Sequence, residues 1–128
     1  MGKPHLEFVS VDMEKGWETP EGYPAGIEQK ILASDIDEEK KAGGRTRLLR
    51  FAPGAYTTKP FVHDHWEEVY VISGDLIVND RHCEPHTYAC RPPHTPHGPF
   101  RSNTGCLLFE LHYYTNLAPL RSAIGMLE

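Results

Sequence analysis

The chain has 128 residues and a formal net charge of -5 at pH 7, with 39% hydrophobic and 24% charged residues. This length predicts a single domain over residues 1–128 with a core of ordinary composition. The acidic balance, without a basic patch, argues against a nucleic-acid partner. No segment approaches the ~20 apolar residues that a membrane span needs, and no signal peptide is evident. We therefore expect a cytoplasmic protein that binds neither nucleic acid nor membrane.

The cysteines and the turn-forming residues narrow the fold class. Cys83, Cys90 and Cys106 make an odd number and form no CxxC pair, so reduced thiols are predicted. Eleven prolines and eleven glycines indicate many turns and few long helices.

Short apolar or alternating segments, separated by turn signals, predict six to eight strands. In chain order they cover residues 6–11, 26–32, 45–51, a stretch over 63–78 that turns at Gly74, 87–90 and 106–114. The charged run 35–41 is interpreted as a solvated loop, and residues 117–128 as a tail with one helical turn around 120–124. Trp17 and Tyr23 are interpreted as packed surface aromatics, with covering a domain edge or closing a subunit interface as the alternative. Arg47 and Arg50 are interpreted as outward, salt-bridged side chains; a side chain that projects into a cavity could instead hold a substrate carboxylate. The pattern predicts an antiparallel sandwich or barrel.

The stretch over residues 63–78 carries the clearest chemical signal. Because alternate residues of a strand share a face, His63, His65 and Glu67 should point one way, followed by Val69 and Val71. The opposite face would carry Asp64, Trp66, Glu68, Tyr70 and Ile72. Two imidazoles and a carboxylate on one face predict part of a metal site above an apolar floor, with a further ligand from elsewhere.

That further ligand is predicted on the loop over residues 91–100. Its four prolines exclude a helix and a central strand, so the loop should be rigid. It would hold His94 and His97 in fixed places.

Together these two segments resemble the motifs of the cupin superfamily, whose fold is the double-stranded β-helix or jelly-roll barrel. The first motif covers about residues 54–74 and is represented by Gly54, His63, Asp64, His65, Glu67 and Gly74. The second covers about 86–100, where Pro92 and His97 match, whereas His86 and His94 stand at glycine positions of the family. The pattern resembles small single-domain cupins of the dioxygenase-like or ChrR-like kind.

The spacing leaves two registers open for the first motif. Counted back from Gly74, the ligand glutamate is Glu67, and His63 is the second histidine, with Phe61 in place of the first. Alternatively, His63 and His65 are the pair, and the segment leading to the glutamate is shortened. Glu68 would replace Glu67 if a bulge shifts the strand by one residue.

The resemblance implies a divalent transition metal, which we expect to be Fe²⁺, Mn²⁺, Ni²⁺ or Zn²⁺. The predicted ligands are His63, His65, Glu67 and His97. Further side chains are candidates for lining the pocket or for orienting the ligands. These candidates are Tyr56, Phe61, Arg91, His94, Glu110 and His112.

The predicted function is that of a metal-dependent enzyme acting on a small oxygenated organic substrate, in an iron(II) dioxygenase-type reaction. The alternatives are a Lewis-acid isomerase or lyase with zinc or manganese, and a non-catalytic module that binds or senses a metal or small molecule. A homodimer is expected, because pairing would cover an edge strand, with Phe8, Val9 and Trp17 as candidate contacts.

Overall fold

The computed structural model describes residues 2–115, and all regular structure in this part of the chain is β-strand. The eight strands are β1 (Ile27–Ser34), β2 (Gly44–Phe51), β3 (Trp66–Gly74), β4 (Leu76–Val78), β5 (Arg81–Cys83), β6 (Tyr88–Arg91), β7 (Phe100–Arg101) and β8 (Cys106–Tyr113). They form a five-stranded sheet in the order β1-β2-β8-β3-β6 and a three-stranded sheet in the order β5-β4-β7. All pairs are antiparallel, which confirms the predicted fold class.

Two predicted boundaries are wrong. Residues 6–11 form no strand, and Phe8 has a φ of 48° and a fully exposed side chain. Alternation alone did not make a strand there, because no neighbouring strand pairs with the segment. The strand predicted from residue 63 begins at Trp66, so face alternation does not govern His63 and His65. The helical turn predicted around 120–124 lies outside the described residues.

The described residues were also considered for helices that could span a membrane. Within residues 2–115, no helix has the length and apolarity that a span requires.

The inner face of the five-stranded sheet changes from apolar to polar along its central strands. On β8 every second residue is buried, beginning with Cys106 and Leu108 and continuing with Glu110 and His112. The apolar half packs into the hydrophobic core. This core consists of Ile27, Leu49, Phe51, Val71, Leu76, Cys106 and Leu108. The polar half therefore lies at one end of the same buried face.

Strand register brings the polar residues to the same level on four neighbouring strands. Arg45 of β2 lies opposite His112 of β8, which lies opposite Glu67 of β3, and Glu67 lies opposite Arg91 of β6. Directly opposed residues project to the same face with Cβ atoms roughly 5 Å apart. We call these four residues the polar row.

Tight backbone turns hold this arrangement. Gly74 has a φ of 82°, and a Cβ atom there would lie 2.0 Å from the carbonyl oxygen of Gly105, so only glycine fits. His86 and His94, which stand at glycine positions of the second cupin motif, have φ values of 73° and 67°. Both histidines thus keep the left-handed backbone conformation that a glycine would adopt easily.

Candidate metal centre

The proline-rich loop is fastened to the segment that carries His63. The backbone N–H of His97 donates to the carbonyl oxygen of Phe61 and the N–H of Phe61 to that of His97, both at 2.7 Å. The N–H of His94 donates to the carbonyl oxygen of His63 at 2.6 Å. These three bonds fix the imidazole of His97 beside that of His63, with the ring centroids 5.4 Å apart.

Three ligand-type side chains converge at this point. One potential ligand atom from each of His63, Glu67 and His97 lies within 4.8 Å of the others, and we call this set the triad. Glu67 and His97 are 5% and 2% exposed, and His63 is half-buried. Nδ1 of His97 lies against Oε2 of Glu67, yet it is the only buried side-chain N or O atom of residues 2–115 without a hydrogen bond. An orphaned imidazole nitrogen facing a carboxylate fits a divalent cation.

Both types of triad ligand are held in the form that binds metal. Burial lowers the pKa of His63 to about 4, so its imidazole is neutral near pH 7. Burial raises the pKa of Glu67, but the imidazoles of His112 and His97 outweigh burial and hold that pKa well below its usual range. Neutral imidazole and ionised carboxylate are the species that coordinate a metal.

His112 orients Glu67, and Arg45 fixes the tautomer of His112. Arg45 donates to Nδ1 of His112 from Nε at 3.0 Å and from Nη2 at 2.7 Å. A guanidinium can only donate, so Nδ1 is the acceptor and the proton of the neutral ring is on Nε2. This Nε2–H donates to Oε1 of Glu67, with Nε2 and Oε1 2.9 Å apart. One oxygen of Glu67 is therefore occupied, and Oε2 is left for the side of His97.

A second carboxylate lies one level further along the sheet in an ion-pair cluster formed by Glu110, Arg47, Gln29 and Tyr23. Nε and Nη2 of Arg47 each lie 2.8 Å from Oε1 of Glu110. Arg47 also donates to Gln29 at 2.7 Å and to the hydroxyl of Tyr23 at 3.2 Å. Burial raises the pKa of Glu110, but Arg47 outweighs burial and keeps it low.

A second set of side chains could also hold a metal ion, namely Glu67, Glu110 and His112. The ion-pair cluster makes this set less suitable than the triad. Glu110 is neutralised by Arg47, and both nitrogens of His112 are engaged. The triad is therefore the better metal site of the two.

His65 and Glu68, the two uncertain ligands of the sequence, lie outside the triad. The buried ring of His65 stacks on His63 at 4.7 Å and on His112 at 4.9 Å, and its Nδ1 lies 3.1 Å from the carbonyl oxygen of Trp66. Glu68 projects from the opposite face of β3. Its carboxylate accepts hydrogen bonds from the hydroxyls of Tyr88 and of Tyr113, the latter at 2.6 Å.

A cavity of about 700 Å³ opens beside the triad. Of the predicted pocket residues, Phe61, Arg91 and Glu110 line it, together with all three triad residues. His112 is buried behind Glu67, whereas Tyr56 and His94 are exposed and lie outside the cavity lining. The deeper walls are apolar. They are formed by Leu49, Phe51, Val69, Val71, Leu76 and Leu108.

Comparison with known proteins identifies the family. Residues 9–116 match the family model of the ChrR cupin-like domain. The chain belongs to this cupin family. No curated protein sequence matches this cupin.

Solved structures show the same fold. An RmlC-like cupin from Shewanella frigidimarina has a TM-score of 0.66 and 20% identity, covering 91% of this chain and 96% of its own. An acetylacetone dioxygenase from Acinetobacter johnsonii has a TM-score of 0.66 and 14% identity, covering 86% and 75%. KdgF from a Halomonas species has a TM-score of 0.64 and 25% identity, covering 83% and 94%. The predicted cupin jelly roll is confirmed.

Phe61 occupies an informative place in this cupin. It stands where the resemblance to the family has the first motif histidine, and it is paired through its backbone with His97. Its ring stacks on Tyr23 at 4.6 Å and lines the cavity. An apolar ring thus stands next to the triad at this position, so the triad offers three protein ligands.

Sequence reasoning missed the buried ion-pair cluster beside the triad. The predicted outward position of Arg47 is wrong, since Arg47 is 3% exposed, and Tyr23 belongs to the cavity wall. The salt bridge predicted for Arg50 exists on the outside, to Glu28 at 2.9 Å. The available signal was that Arg45 and Arg47 share one face of β2 with the apolar residues Leu49 and Phe51. The partners of these arginines, His112 and Glu110, lie on the neighbouring strand β8, which is far away in sequence.

Proposed function

We propose that this cupin is a metal-dependent enzyme that acts on a small oxygenated organic substrate, with an iron(II) dioxygenase-type reaction as the leading form. His63, Glu67 and His97 would hold the divalent ion. The observation that carries the proposal is the convergence of two imidazoles and one carboxylate within 4.8 Å at the wall of a cavity. Two histidines and one carboxylate, with coordination positions left open, are the ligand set of non-haem iron(II) oxygenases.

The chain would perform three tasks around the ion. Oε2 of Glu67 and the two imidazoles bind it, while His112 holds Oε1 of Glu67 and so fixes the direction of the carboxylate. The apolar walls exclude water from the substrate. When bound, the ion would supply Lewis acidity towards a substrate oxygen and, if it is iron(II), electron transfer to dioxygen.

Iron is the leading metal, but the ligand set also suits other ions. Two histidines and a glutamate form catalytic zinc sites in other proteins, where the reaction is Lewis-acid catalysis. The acetylacetone dioxygenase from Acinetobacter johnsonii shares only the fold, at 14% identity, and shows that this fold can host a dioxygenase. With zinc or manganese, the same triad would support isomerisation or elimination.

Metal loading followed by oxygen measurement tests this proposal. The protein is loaded anaerobically with Fe²⁺ or with Zn²⁺ and mixed with acetylacetone, catechol and a 2-hydroxy acid. We expect oxygen uptake above background with at least one substrate, only in the iron form, and its loss in His97→Ala. Oxygen uptake by neither form, with consumption of substrate by the zinc form, would replace the dioxygenase with a Lewis-acid enzyme.

A sensing role is the second candidate, because the family model is named for ChrR, and a solved ChrR that shares the fold at 16% identity is an anti-sigma protein in complex with SigE. In that role the triad would bind metal without turning over a substrate. Stoichiometric metal together with no consumption of any substrate by any metal form would favour sensing.

We also propose that the protein is cytoplasmic and forms a homodimer. Light scattering after gel filtration would test the homodimer. Phe8 and Val9 are exposed, whereas Trp17 lies over the guanidinium of Arg50 at 4.0 Å.

A further inference from the structure

We infer that Arg91 anchors a carboxylate group of the substrate, so that the cavity takes a small organic acid with an apolar body. This inference rests on the proposed metal function, because it places the acid beside the triad. It gives Arg91 a role in binding and names the class of substrate that the cavity takes.

Arg91 stands at the end of the polar row, next to the metal ligand Glu67. It is the last residue of β6, one of the two edge strands of the five-stranded sheet, and lies directly opposite Glu67. Opposed residues share a face, so its side chain projects inward and lines the cavity. A group held by Arg91 would therefore lie within a few ångströms of the triad.

The guanidinium of Arg91 differs from the other arginines of the five-stranded sheet in having no partner. Arg45 donates to His112, Arg47 to Glu110 and Arg50 to Glu28. Arg91 is half-buried, and within residues 2–115 its side chain makes no ion pair and no hydrogen bond. A half-buried guanidinium with five unused donors is a site for a planar anion, which it can bind bidentately.

The charges around the cavity lead to the same class of ligand. Glu110 is already neutralised by Arg47, and the carboxylate of Glu67 would be more than balanced by a divalent ion. The charges of Arg91 and of Arg81, an exposed residue that also lines the cavity, add to the positive side, since neither side chain has an ion-pair partner within residues 2–115. An anionic substrate would neutralise this excess of positive charge, whereas a neutral substrate would leave it unbalanced.

The rest of the ligand can be specified from the walls. Beyond the polar row the cavity is bounded by aliphatic side chains such as Val69, Val71 and Leu108. A branched or aromatic hydrocarbon body fits these walls. A second oxygen near the carboxylate would reach the ion, as in a 2-oxo acid.

The test compares an acid with its ester. The probes are 4-methyl-2-oxopentanoate and its methyl ester, which have the same body and the same 2-oxo group but differ in charge. Binding is measured by calorimetry to the Zn²⁺-loaded and to the metal-free protein. We expect the acid to bind the loaded protein at least about tenfold more tightly than the ester, since hydrogen bonds to charged groups are the stronger ones. The metal-free protein should keep a smaller preference of the same sign.

Variants then identify the anchor. Arg91→Gln should abolish the preference for the acid without changing metal content, and Arg91→Lys should retain part of it, because a lysine keeps the charge but loses the bidentate geometry. Arg101→Gln is the matched control, since Arg101 is exposed and lies outside the cavity lining. It should behave as the wild type does.

Two results would overturn the inference and spare the proposed function. One is a metal-loaded wild type that binds acid and ester equally, and the other is an acid preference that survives in Arg91→Gln. If the protein takes up no metal, the proposed function fails instead. The acid preference of the metal-free protein and its loss in Arg91→Gln would then decide the role of Arg91 alone.

Discussion

Glu67 and Glu110 are two carboxylates on the same buried face of one sheet; both contact Nε2 of His112, but their other partners differ. Glu110 contacts the guanidinium of Arg47, so its charge is balanced inside the protein. Glu67 contacts the imidazoles of His97 and His112 and faces the cavity. His112 is neutral in the tautomer set by Arg45, and so Glu67 has no permanent cation of its own.

This difference separates a structural carboxylate from one suited to a ligand role. A buried charge with its own guanidinium contributes to the fold and resists exchange of its partner. A buried carboxylate without a guanidinium or ammonium partner gains most from a metal ion, which supplies a positive charge. The polar end of one sheet thus contains a completed ion pair and a site that a cation would complete.

The largest effect should come from breaking the completed pair. Arg47→Met leaves Glu110 buried without a partner and should lower the free energy of unfolding by about 3 to 5 kcal/mol. Urea denaturation of the metal-free protein measures this loss. Arg50→Met is the control, because its ion pair with Glu28 is more than one-third exposed and should contribute about 1 kcal/mol or less. Similar losses in the two variants would show that the buried pair is not special.

Alkaline titration probes the same ion-pair cluster through Tyr23. Burial raises the pKa of Tyr23 from 10.0 to about 12, so the unfolded chain loses this proton first as pH rises. The stabilising contribution is complete below pH 10 and is lost towards pH 12, by about 3 kcal/mol at about 1.4 kcal/mol per pKa unit. Tyr23→Phe should lack this loss in denaturation curves. Parallel curves for wild type and variant between these pH values would contradict the assignment.

A smaller effect is expected at the metal side from Arg45. Arg45→Met removes the donor that fixes the tautomer of His112, so His112 no longer presents Nε2–H to Glu67 at all times. We expect metal affinity to fall by about tenfold, as for other residues that orient ligands. Competition with a chromophoric chelator measures it, and nitrogen chemical shifts of His112 should show mixed tautomers. A single unchanged tautomer of His112 and an unchanged metal affinity would show that Arg45 does not orient the metal ligands through His112.

The smallest effect should come from His65. It stacks on two imidazoles but is outside the triad, so His65→Gln should leave metal affinity within about threefold of the wild type. The same chelator assay applies. A loss as large as that of His97→Ala would instead make His65 a ligand and would restore the paired-histidine register.

The fold could be predicted because its signals are local. Turn residues and alternating segments marked most strands, and both cupin motifs lie within about residues 54–100. Segment 6–11 shows the limit of this reasoning. Its alternation is that of a strand, but strand formation also requires a neighbour with free backbone groups, and no local pattern reveals that neighbour.

The site was less predictable because it depends on cross-strand register. Glu67 and His97 were identified as candidates from motif spacing, yet the start of β3 at Trp66 removed the face argument for His63 and His65. The alignment of Arg45 with His112 joins residues 67 positions apart. Such pairs follow from sheet order, which the sequence alone did not reveal.

The central claim is that Glu67 binds a divalent metal, and its neighbour Glu68 provides the most direct test. The metal content of protein purified without chelator is measured by elemental analysis for the wild type, Glu67→Gln and Glu68→Gln. Glu68 differs by one position but projects outward, where its partners are tyrosine hydroxyls. We predict stoichiometric metal in the wild type and in Glu68→Gln. In Glu67→Gln we predict a metal content far below stoichiometric, since loss of this ligand should lower metal affinity by about 100-fold or more. Equal metal content in the two variants, or no metal in the wild type, would contradict the claim.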